Sequence, residues 1–419
     1  MKSRKLGVYL RVLAPIIILL LTISAVLYAQ TAGPAQPVVN VQSASQTGVV
    51  GFTPAEIRHA YGFDQILNQG EGQTIAVVNA FDHPSIEQDF AVFNRTFNLP
   101  PCTTANGCFR KINLGSPGVC PSSDPNINVF CAIWGLEIAV TVEWAHAIAP
   151  QAKILLVEAP KNNLGSLLMA VDQAVANGAN VVSMSWGASE PIENEIGQDA
   201  HFTSSNISFF AASGDFGTGV FYPAASPYVM GVGATTLHLD SKGNYSNEKA
   251  WGDSSTNTCL RLVGIPTCGS GGGLSTIEPE PTYQIAYPIP NDPDFKRGTP
   301  DVAYVGDPNT GIAVYDSVPM GSFVGWFMVG GTSIGPPQWS GLFAIANSVR
   351  QQAHKRPLTP GSGLLYDVAK AQSASFNDIG NGKNGSCGTG CNAKPGYDYV
   401  TGLGTPNANI LIPTLASMP

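Results

Sequence analysis

Short apolar runs alternate with helix-like segments along the middle of this 419-residue chain, and the alternation indicates its fold class. The runs have the length of buried strands: TIAVVNA (74–80), KILLVEA (153–159), NVVSMSWG (180–187), ISFFAASGD (207–215) and YVMGVGAT (228–235). Between them, apolar residues follow helical spacing, as at positions 164, 167, 168, 171, 174 and 175. Strands apolar on both faces predict an α/β fold with a central, mostly parallel sheet and helices on both faces. Active sites of such sheets lie at the carboxyl ends of strands, so we expect the chemistry near Gly187, Asp215 and Gly331.

The composition argues against one class of partner. The chain has 21 Lys and Arg against 29 Asp and Glu, whereas nucleic-acid binding needs clustered basic residues, so we expect no nucleic-acid partner. Charged residues make up 12% of the chain, below the roughly 25% that is usual. A surface with few ionisable groups favours an acidic habitat, although a secreted surface rich in Gly, Ser and Asn explains the composition equally well.

The N-terminus has the pattern of a secretory signal. A basic start precedes an apolar run over residues 14–29, which is shorter than the about 20 residues of a membrane-spanning helix. We predict a signal peptide over residues 1–29 and a secreted, extracellular protein with no stable membrane association after cleavage; an uncleaved anchor is the alternative. Residues 30–50 are predicted to be a linker, and residues 51–415 one domain that acts as a monomer.

Export places the eight cysteines in an oxidising compartment, where an even number indicates disulfides. Neighbouring cysteines lie in loops rich in Gly, Pro and Asn, which favours local pairing. The predicted pairs are Cys102–Cys108, Cys120–Cys131, Cys259–Cys268 and Cys387–Cys391. A zinc site at the last pair is the alternative, but no nearby His or further Cys completes it.

A candidate nucleophile, Ser333, lies where a strand pattern changes to a helix pattern within residues 323–352. GTSIG fits the G-x-S-x-G elbow of α/β-hydrolases, and GTSIGPP fits the G-T-S-x-x-x-P turn of subtilisin-like folds. A serine that caps a buried helix is the structural alternative. The hydrolase order needs an acid and then a His after the nucleophile, but no acid lies between Ser333 and the last histidine, His354. No histidine precedes Gly-Thr as in subtilisins, so a carboxylate is the stronger candidate base.

Glu137 is the best placed carboxylate, in a helix pattern over residues 133–149. At 100° per residue it lies on an apolar stripe. The residues within about 60° of it are Ile133, Val140, Thr141, Trp144 and Ile148. Glu143 and His146 project well away from it and are predicted to lie on a more polar side. Burial raises the pKa of a carboxyl group and suits it to act as a general base, whereas a Glu that binds a buried backbone donor is the alternative.

Several further motifs, in order over about residues 51–410, resemble the sedolisin family of serine-carboxyl peptidases. They are VEWAHAIAP, VVSMSWGASE, SGDFG, YPAASPYVMGVGATTL, GGGLST, GTPDVAYVGDP, GGTSIGPPQWSG, and NDIG followed by GYDYVTGLGTP. The resemblance implies a subtilisin-like fold and a serine-type endopeptidase that hydrolyses protein or peptide substrates through an acyl-enzyme. Ser333 would attack the carbonyl carbon, Glu137 would take its proton, and Asp215 would donate to the oxyanion. Asp215 can donate only when protonated, which suits an acidic medium.

The resemblance also implies a cleft and a metal site. Residues 183–190 and 271–276 resemble the strands that line the substrate cleft in this family. One structural Ca²⁺ ion is implied near the C-terminus, since oxygen ligands on a Gly-rich loop suit this ion. Its implied ligands are the carboxylates of Asp378 and Asp398 and the main-chain oxygens of Ile379, Lys394 and Gly396.

Two features depart from the family pattern. The family usually has a second acid four residues after the base, where this chain has Thr141; we keep Thr141 among the candidate catalytic residues because it can still donate a hydrogen bond to Glu137. Family members also commonly have a long propeptide, whereas residues 30–50 alone separate the predicted signal from the predicted domain. A second hypothesis therefore stays open: a catalytically impaired homologue that binds peptides or serves a structural role.

Overall fold

The computed structural model describes residues 34–115, 125–252, 268–287, 289–290, 294–320, 323–358, 361 and 363–419. The predicted signal peptide over residues 1–29 lies outside the described residues. The α-helices are α1 (Pro54–Ala60), α2 (Ile86–Thr96), α3 (Pro125–Ile148), α4 (Leu164–Ala176), α5 (Glu195–Gln198), α6 (Thr282–Ala286), α7 (Gly335–Gln352), α8 (Gly363–Ala371) and α9 (Ala408–Ser417). The strands are β1 (Gln36–Pro37), β2 (Asn40–Ser45), β3 (Thr74–Ala80), β4 (Phe109–Asn113), β5 (Lys153–Ala159), β6 (Val181–Met184), β7 (Trp186–Ser189), β8 (Ser208–Ala212), β9 (Phe216–Thr218), β10 (Phe221–Tyr222), β11 (Val229–Leu239), β12 (Tyr245–Ala250), β13 (Gly269–Pro279), β14 (Lys296–Thr299), β15 (Val302–Val305), β16 (Ile312–Met320), β17 (Phe323–Gly330), β18 (Phe376–Asn377) and β19 (Thr405–Pro406).

A central eight-stranded sheet has the order β12-β11-β8-β6-β3-β5-β4, with β15 beside β11. Its pairings are parallel except that between β11 and β12. Strands β3 and β5 have the bounds that the sequence predicts, while the run 180–187 divides into β6, inside this sheet, and β7, outside it. The predicted α/β fold with a mostly parallel central sheet is confirmed.

Both faces of the sheet are covered, because its strands alternate between two apolar cores. In β3, Ile75 and Val77 belong to a core that includes α3 and α7, whereas Ala76, Val78 and Ala80 belong to a core that includes α4. Helices α3 and α7 pack closely: a Cβ atom on Gly341 of α7 would lie 2.7 Å from Ile148 Cγ2 of α3. This contact fixes the helix of Glu137 against the helix that follows Ser333.

The prediction of a linker over residues 30–50 is wrong for residues 36–45. Strand β1 pairs antiparallel with β7, and β2 pairs antiparallel with β17. The Ala, Pro, Gln and Ser content of the segment predicts little structure, but a strand at the edge of a sheet takes its hydrogen bonds from its neighbour and needs little core of its own. Val38, between the two strands, is buried.

Two of the predicted disulfides lie within the described residues, and both are confirmed. Cys102 is bonded to Cys108, and Cys387 to Cys391. Cys131 and Cys268 are also disulfide-bonded, but Cys120 and Cys259, their predicted partners, lie outside the described residues. Because the bond between Cys387 and Cys391 consumes both thiols, it excludes the zinc alternative there.

The prediction that Glu143 and His146 lie on a polar side of α3 is wrong. Both side chains are fully buried. Glu143 Oε2 accepts a hydrogen bond from Tyr315 N (3.1 Å), and His146 Nε2 lies 2.9 Å from Pro100 O. Helix α2 and strand β16 cover this side of α3, so the helix is buried nearly all round. Its stretch Cys131–Ile148 is long and apolar enough to cross a membrane, and 94% of it is buried inside the protein, as in a core helix.

Candidate active site

Ser333 occupies a tight turn between β17 and α7, as the glycine-rich sequence predicts. Gly331 has a φ of 117°, a conformation that favours glycine. A Cβ atom at this position would lie 2.1 Å from Val38 O and 2.6 Å from Asp215 Oδ2. Glycine is therefore required both for the turn and for the close approach of these two oxygen atoms.

The Ser333 hydroxyl donates a hydrogen bond to the Glu137 carboxylate, with 2.9 Å between Oγ and Oε2. The two residues are 196 positions apart and meet where α3 contacts the turn. Burial raises the pKa of Glu137 well above its usual value; the hydrogen bond from Ser333 opposes this rise, and the charge of Asp215 adds to it. A buried carboxylate at this distance can accept the hydroxyl proton when the serine attacks.

Asp215 follows β8 at the carboxyl end of the sheet. Its Oδ1 accepts hydrogen bonds from Thr332 N (2.7 Å) and Thr332 Oγ1 (2.9 Å). Burial raises the pKa of Asp215 from 3.8 to about 7, although these hydrogen bonds favour the charged form. At acidic pH the protonated carboxyl can therefore donate a hydrogen bond to an oxygen atom held beside Gly331.

Thr141 lies one helical turn after Glu137, but its side chain bonds elsewhere than expected. Its Oγ1 lies 3.0 Å from the main-chain oxygen of Glu137 and 3.1 Å from that of Ile138, and it accepts a hydrogen bond from Asn79 Nδ2 (2.8 Å). A threonine inside a helix readily bonds the carbonyl four residues before it, which explains why the expected bond to the Glu137 carboxyl is missing. In the part of the chain that the structure describes, Glu137 Oε1 has no hydrogen-bond partner.

Residues 36–45, here called the N-terminal segment, run through the site. Ser333 N donates to Val38 O (3.3 Å), and Asn40 Nδ2 donates to Asp215 Oδ2 (2.6 Å). Strand β1 of the segment pairs with β7, which lies within the predicted cleft strand 183–190. A carbonyl oxygen of an extended segment thus lies at the amide of the candidate nucleophile, as the carbonyl of a peptide substrate must before acyl transfer.

The other predicted cleft strand, residues 271–276, lies inside β13. Gly271 N donates to Gly214 O, and Ser213 Oγ donates to Gly271 O (2.8 Å), so this strand borders the loop of Asp215.

Sequence reasoning missed the site contacts of Val38, Asn40 and Asn79. Asn79 carried a signal, since it is a polar residue inside the apolar run of β3 and is fully buried. No feature of the sequence distinguishes Val38 and Asn40 from residues of a linker, because their contacts depend on strand pairing with distant residues.

The residues implied as calcium ligands lie on the loop that precedes β19. Asp378 Oδ2 accepts a hydrogen bond from Gly396 N (2.8 Å), and Asp398 Oδ2 accepts one from Lys394 N (3.0 Å). Ile379 is buried beside Asp378. Burial raises the pKa of Asp398 to about 6, although main-chain hydrogen bonds oppose the rise. Oxygen donors of this kind fit Ca²⁺, and a cation would offset the cost of burying the Asp398 carboxylate.

The profile of the Subtilase family matches residues 133–362. Kumamolisin from Bacillus sp. (strain MN-32) is 31% identical over 395 residues, which cover 87% of this chain and 63% of that protein. Sedolisin from Pseudomonas sp. (strain 101) is 28% identical over 298 residues, which cover 65% of this chain and 47% of that protein. The chain thus spans less than two thirds of the length of these curated relatives.

A solved structure is also similar to this chain. That of Pseudomonas sedolisin, a serine-carboxyl proteinase complexed with two molecules of pseudo-iodotyrostatin, aligns with a TM-score of 0.71 and 25% identity. The alignment covers 88% of this chain and 99% of that chain, so most of the α/β architecture is shared.

Proposed function

Because the chain belongs to the sedolisin family of serine-carboxyl peptidases, with their subtilisin-like fold, we propose that it is a secreted serine-type endopeptidase that acts in acidic surroundings. Its substrates are proteins or peptides. The observation that carries the proposal is the 2.9 Å hydrogen bond from Ser333 Oγ to the Glu137 carboxylate, because a serine hydroxyl needs an adjacent base to become nucleophilic.

The reaction proceeds in two stages. Ser333 Oγ attacks the scissile carbonyl carbon while its proton passes to Glu137. The developing oxyanion accepts hydrogen bonds from Ser333 N and from the protonated Asp215 carboxyl. Glu137 then protonates the leaving amine, and an acyl-enzyme remains. In the second stage Glu137 takes a proton from water, the water attacks the acyl carbon, and Ser333 leaves with that proton.

Acidic conditions are proposed because the two carboxyl groups must differ in charge. Glu137 has to be ionised while Asp215 is protonated. Burial raises the pKa of both groups, and the charge of Asp215 raises the pKa of Glu137 further, so each carboxyl group opposes the ionisation of the other and the two do not become charged together in the usual pH range of carboxyl groups. The hydrogen bond from Ser333 favours a negative charge on Glu137, whereas those from Thr332 and Asn40 favour it on Asp215. A substrate that displaces Asn40 would remove one of the bonds that favour the charge on Asp215.

The N-terminal segment sets a condition on this activity. Val38 and Asn40 contact Ser333 N and Asp215, which are the groups that would bind the substrate carbonyl. A substrate therefore has to displace the segment, and we expect the protein to be more active when the segment is weakened or removed.

We also propose that the protein is secreted, acts as a monomer and binds one structural Ca²⁺ ion. The signal-like pattern of residues 1–29 supports secretion. The Asp378 and Asp398 carboxylates and the main-chain oxygens of Ile379, Lys394 and Gly396 would hold the ion, which would stabilise this loop.

A catalytically impaired, peptide-binding homologue is the second candidate. Two observations favour it: Thr141 leaves the Glu137 carboxyl without a second acid, and the N-terminal segment contacts Ser333 and Asp215.

Hydrolysis of a denatured protein between pH 2 and pH 7 tests the proposal, with Ser333→Ala as the variant and Ser340→Ala as the control. Ser340 is also a buried serine, on α7, and within the described residues its hydroxyl makes no hydrogen bond. We expect cleavage at acidic pH that falls by about three or more orders of magnitude in Ser333→Ala and is unchanged in Ser340→Ala. Peptide binding without serine-dependent cleavage at any pH would instead support the second candidate.

A further inference from the structure

A second group of buried polar side chains lies on the other side of α3 from the nucleophile. His83 follows β3, Asp89 lies on α2 and Asp316 lies on β16. His83 Nε2 is 3.2 Å from Asp316 Oδ1 and 3.7 Å from Asp89 Oδ2. All three side chains are less than 5% exposed. The activity proposed above uses none of them.

The distances within this group are compatible with metal ligands as well as with ion pairs. One ligand atom from each residue lies within 4.8 Å of the others. Ligands of a tetrahedral ion with bonds of about 2.0–2.1 Å are separated by roughly 3.3 Å, and the separations of 3.2 and 3.7 Å are close to this value. A nitrogen-oxygen distance of 3.7 Å is too long for a hydrogen bond. His83 is fully buried, yet neither ring nitrogen makes a hydrogen bond within the described residues.

The negative charge of the buried carboxylates also favours binding of a cation. Glu143, fully buried on α3, interacts electrostatically with both aspartates, and its Oε1 has no hydrogen-bond partner within the described part of the chain. The neighbouring cation, Lys111, is bonded to Asp82 and Glu158 instead. Several carboxylates buried together are costly unless a positive charge compensates them.

We infer that His83, Asp89 and Asp316 form a binding site for a divalent transition-metal ion of the zinc type, with Glu143 as the candidate fourth ligand. One imidazole nitrogen with carboxylate oxygens is a donor set that Zn²⁺ accepts. The ion would join α2, β16 and the loop after β3 beside α3, so its role is structural.

Neighbouring groups already hold the ligands in place. Asp89 Oδ2 accepts hydrogen bonds from Ser85 Oγ (3.1 Å), Ser317 N (3.1 Å) and Ser317 Oγ (3.0 Å). Asp316 Oδ1 accepts one from Val318 N (2.7 Å). Ligands oriented in this way lose little freedom when an ion binds.

A buried imidazolium paired with the two aspartates is the competing explanation, and metal binding separates the two. The experiment uses the Ser333→Ala protein, which prevents self-digestion, stripped with chelator and kept at pH 7 in excess Ca²⁺. Titration with Zn²⁺ is followed by calorimetry, and titration with Co²⁺ by visible absorption. We expect one equivalent of either ion to bind and Co²⁺ to give the absorption of a four-coordinate site.

His83→Gln and Asp316→Asn are expected to lower the affinity for Zn²⁺ by about 100-fold or more. His146→Gln is the matched control, because His146 is another buried histidine but bonds Pro100 O, and its affinity should equal that of the parent protein. The inference is overturned if the parent binds no stoichiometric Zn²⁺ or Co²⁺, or if the His83 variant binds them as the parent does. Because the parent protein alone gives the first readout, a variant that fails to fold does not remove the test, and the result is independent of peptidase activity.

Discussion

Asp215→Asn should alter stability and activity in a pH-dependent way that follows from the burial of this carboxyl. The asparagine amide can donate a hydrogen bond at every pH, whereas Asp215 can donate only when protonated. Burial raises the pKa of Asp215 from 3.8 to about 7, so the folded protein holds this proton more tightly than the unfolded chain does.

The magnitude follows from the size of this pKa difference. About three pKa units correspond to about 4 kcal/mol. Below about pH 4 the carboxyl is protonated in both states and has no such effect. As the pH rises from about 4 to 7, the unfolded chain loses the proton first, so the stability of the wild-type protein falls. Asp215→Asn lacks this loss, and its free energy of unfolding relative to wild type should rise by up to about 4 kcal/mol over this range.

Urea unfolding at pH 4, 5.5 and 7 measures this difference, in the Ser333→Ala background to prevent self-digestion. Thr332 can keep its two hydrogen bonds to the amide oxygen, and Asn40 can turn its own amide so that its oxygen accepts. The reasoning would be refuted if the difference in free energy of unfolding between the two proteins were the same at pH 4 and at pH 7. Such a result would mean that Asp215 ionises normally in the folded state.

Activity gives a second readout of the same carboxyl. With Ser333 intact, Asp215→Ala is expected to lower kcat by about 100- to 1,000-fold, the usual cost of one oxyanion donor. Asp215→Asn should stay within about tenfold of wild type at pH 4, because it retains a donor. Full activity of Asp215→Ala would show that the carboxyl does not contact the oxyanion.

Further changes test the surroundings of the site. Thr141→Asp should raise kcat about fivefold through one added hydrogen bond of about 1 kcal/mol to Glu137 Oε1, which has no partner among the described residues, and Thr141→Ser should not. An unchanged kcat in the Asp variant would show that Thr141 does not limit the activity. Asn40→Ala should lower the apparent KM about fivefold by weakening the N-terminal segment, while the exposed Gln42→Ala on the same strand leaves it unchanged, and equal KM values would contradict competition by the segment. Ca²⁺ at 100 times its Kd should raise the Tm of the wild-type protein by about 5 °C and the Tm of Asp398→Asn much less. Thermal unfolding with Ca²⁺ and with a chelator measures both shifts. Equal shifts in the two proteins would show that the ion binds elsewhere.

The sequence predicted well those elements whose patterns are local. Strands β3 and β5 have the predicted bounds, because a run of apolar residues between polar ends marks a buried strand directly. The position of Glu137 on the apolar stripe of α3 followed from helical geometry alone, and the residue is fully buried. The same geometry failed for Glu143 and His146, because a polar side chain can be buried when another element supplies its partner, here Tyr315 or Pro100.

By itself, the sequence determined the α/β class, the serine at a glycine turn, and the carboxylate that replaces histidine as the candidate base. These depend on periodicity, residue type and order, which a linear chain displays. Only the tertiary structure decided that Thr141 bonds the main chain and Asn79, that residues 36–45 enter the cleft, and that His83 faces Asp89 and Asp316. Such contacts join elements whose register and packing are set by the whole fold; Asn40 and Asp215, 175 positions apart, meet because two strands pair with their neighbours at one edge of the cleft.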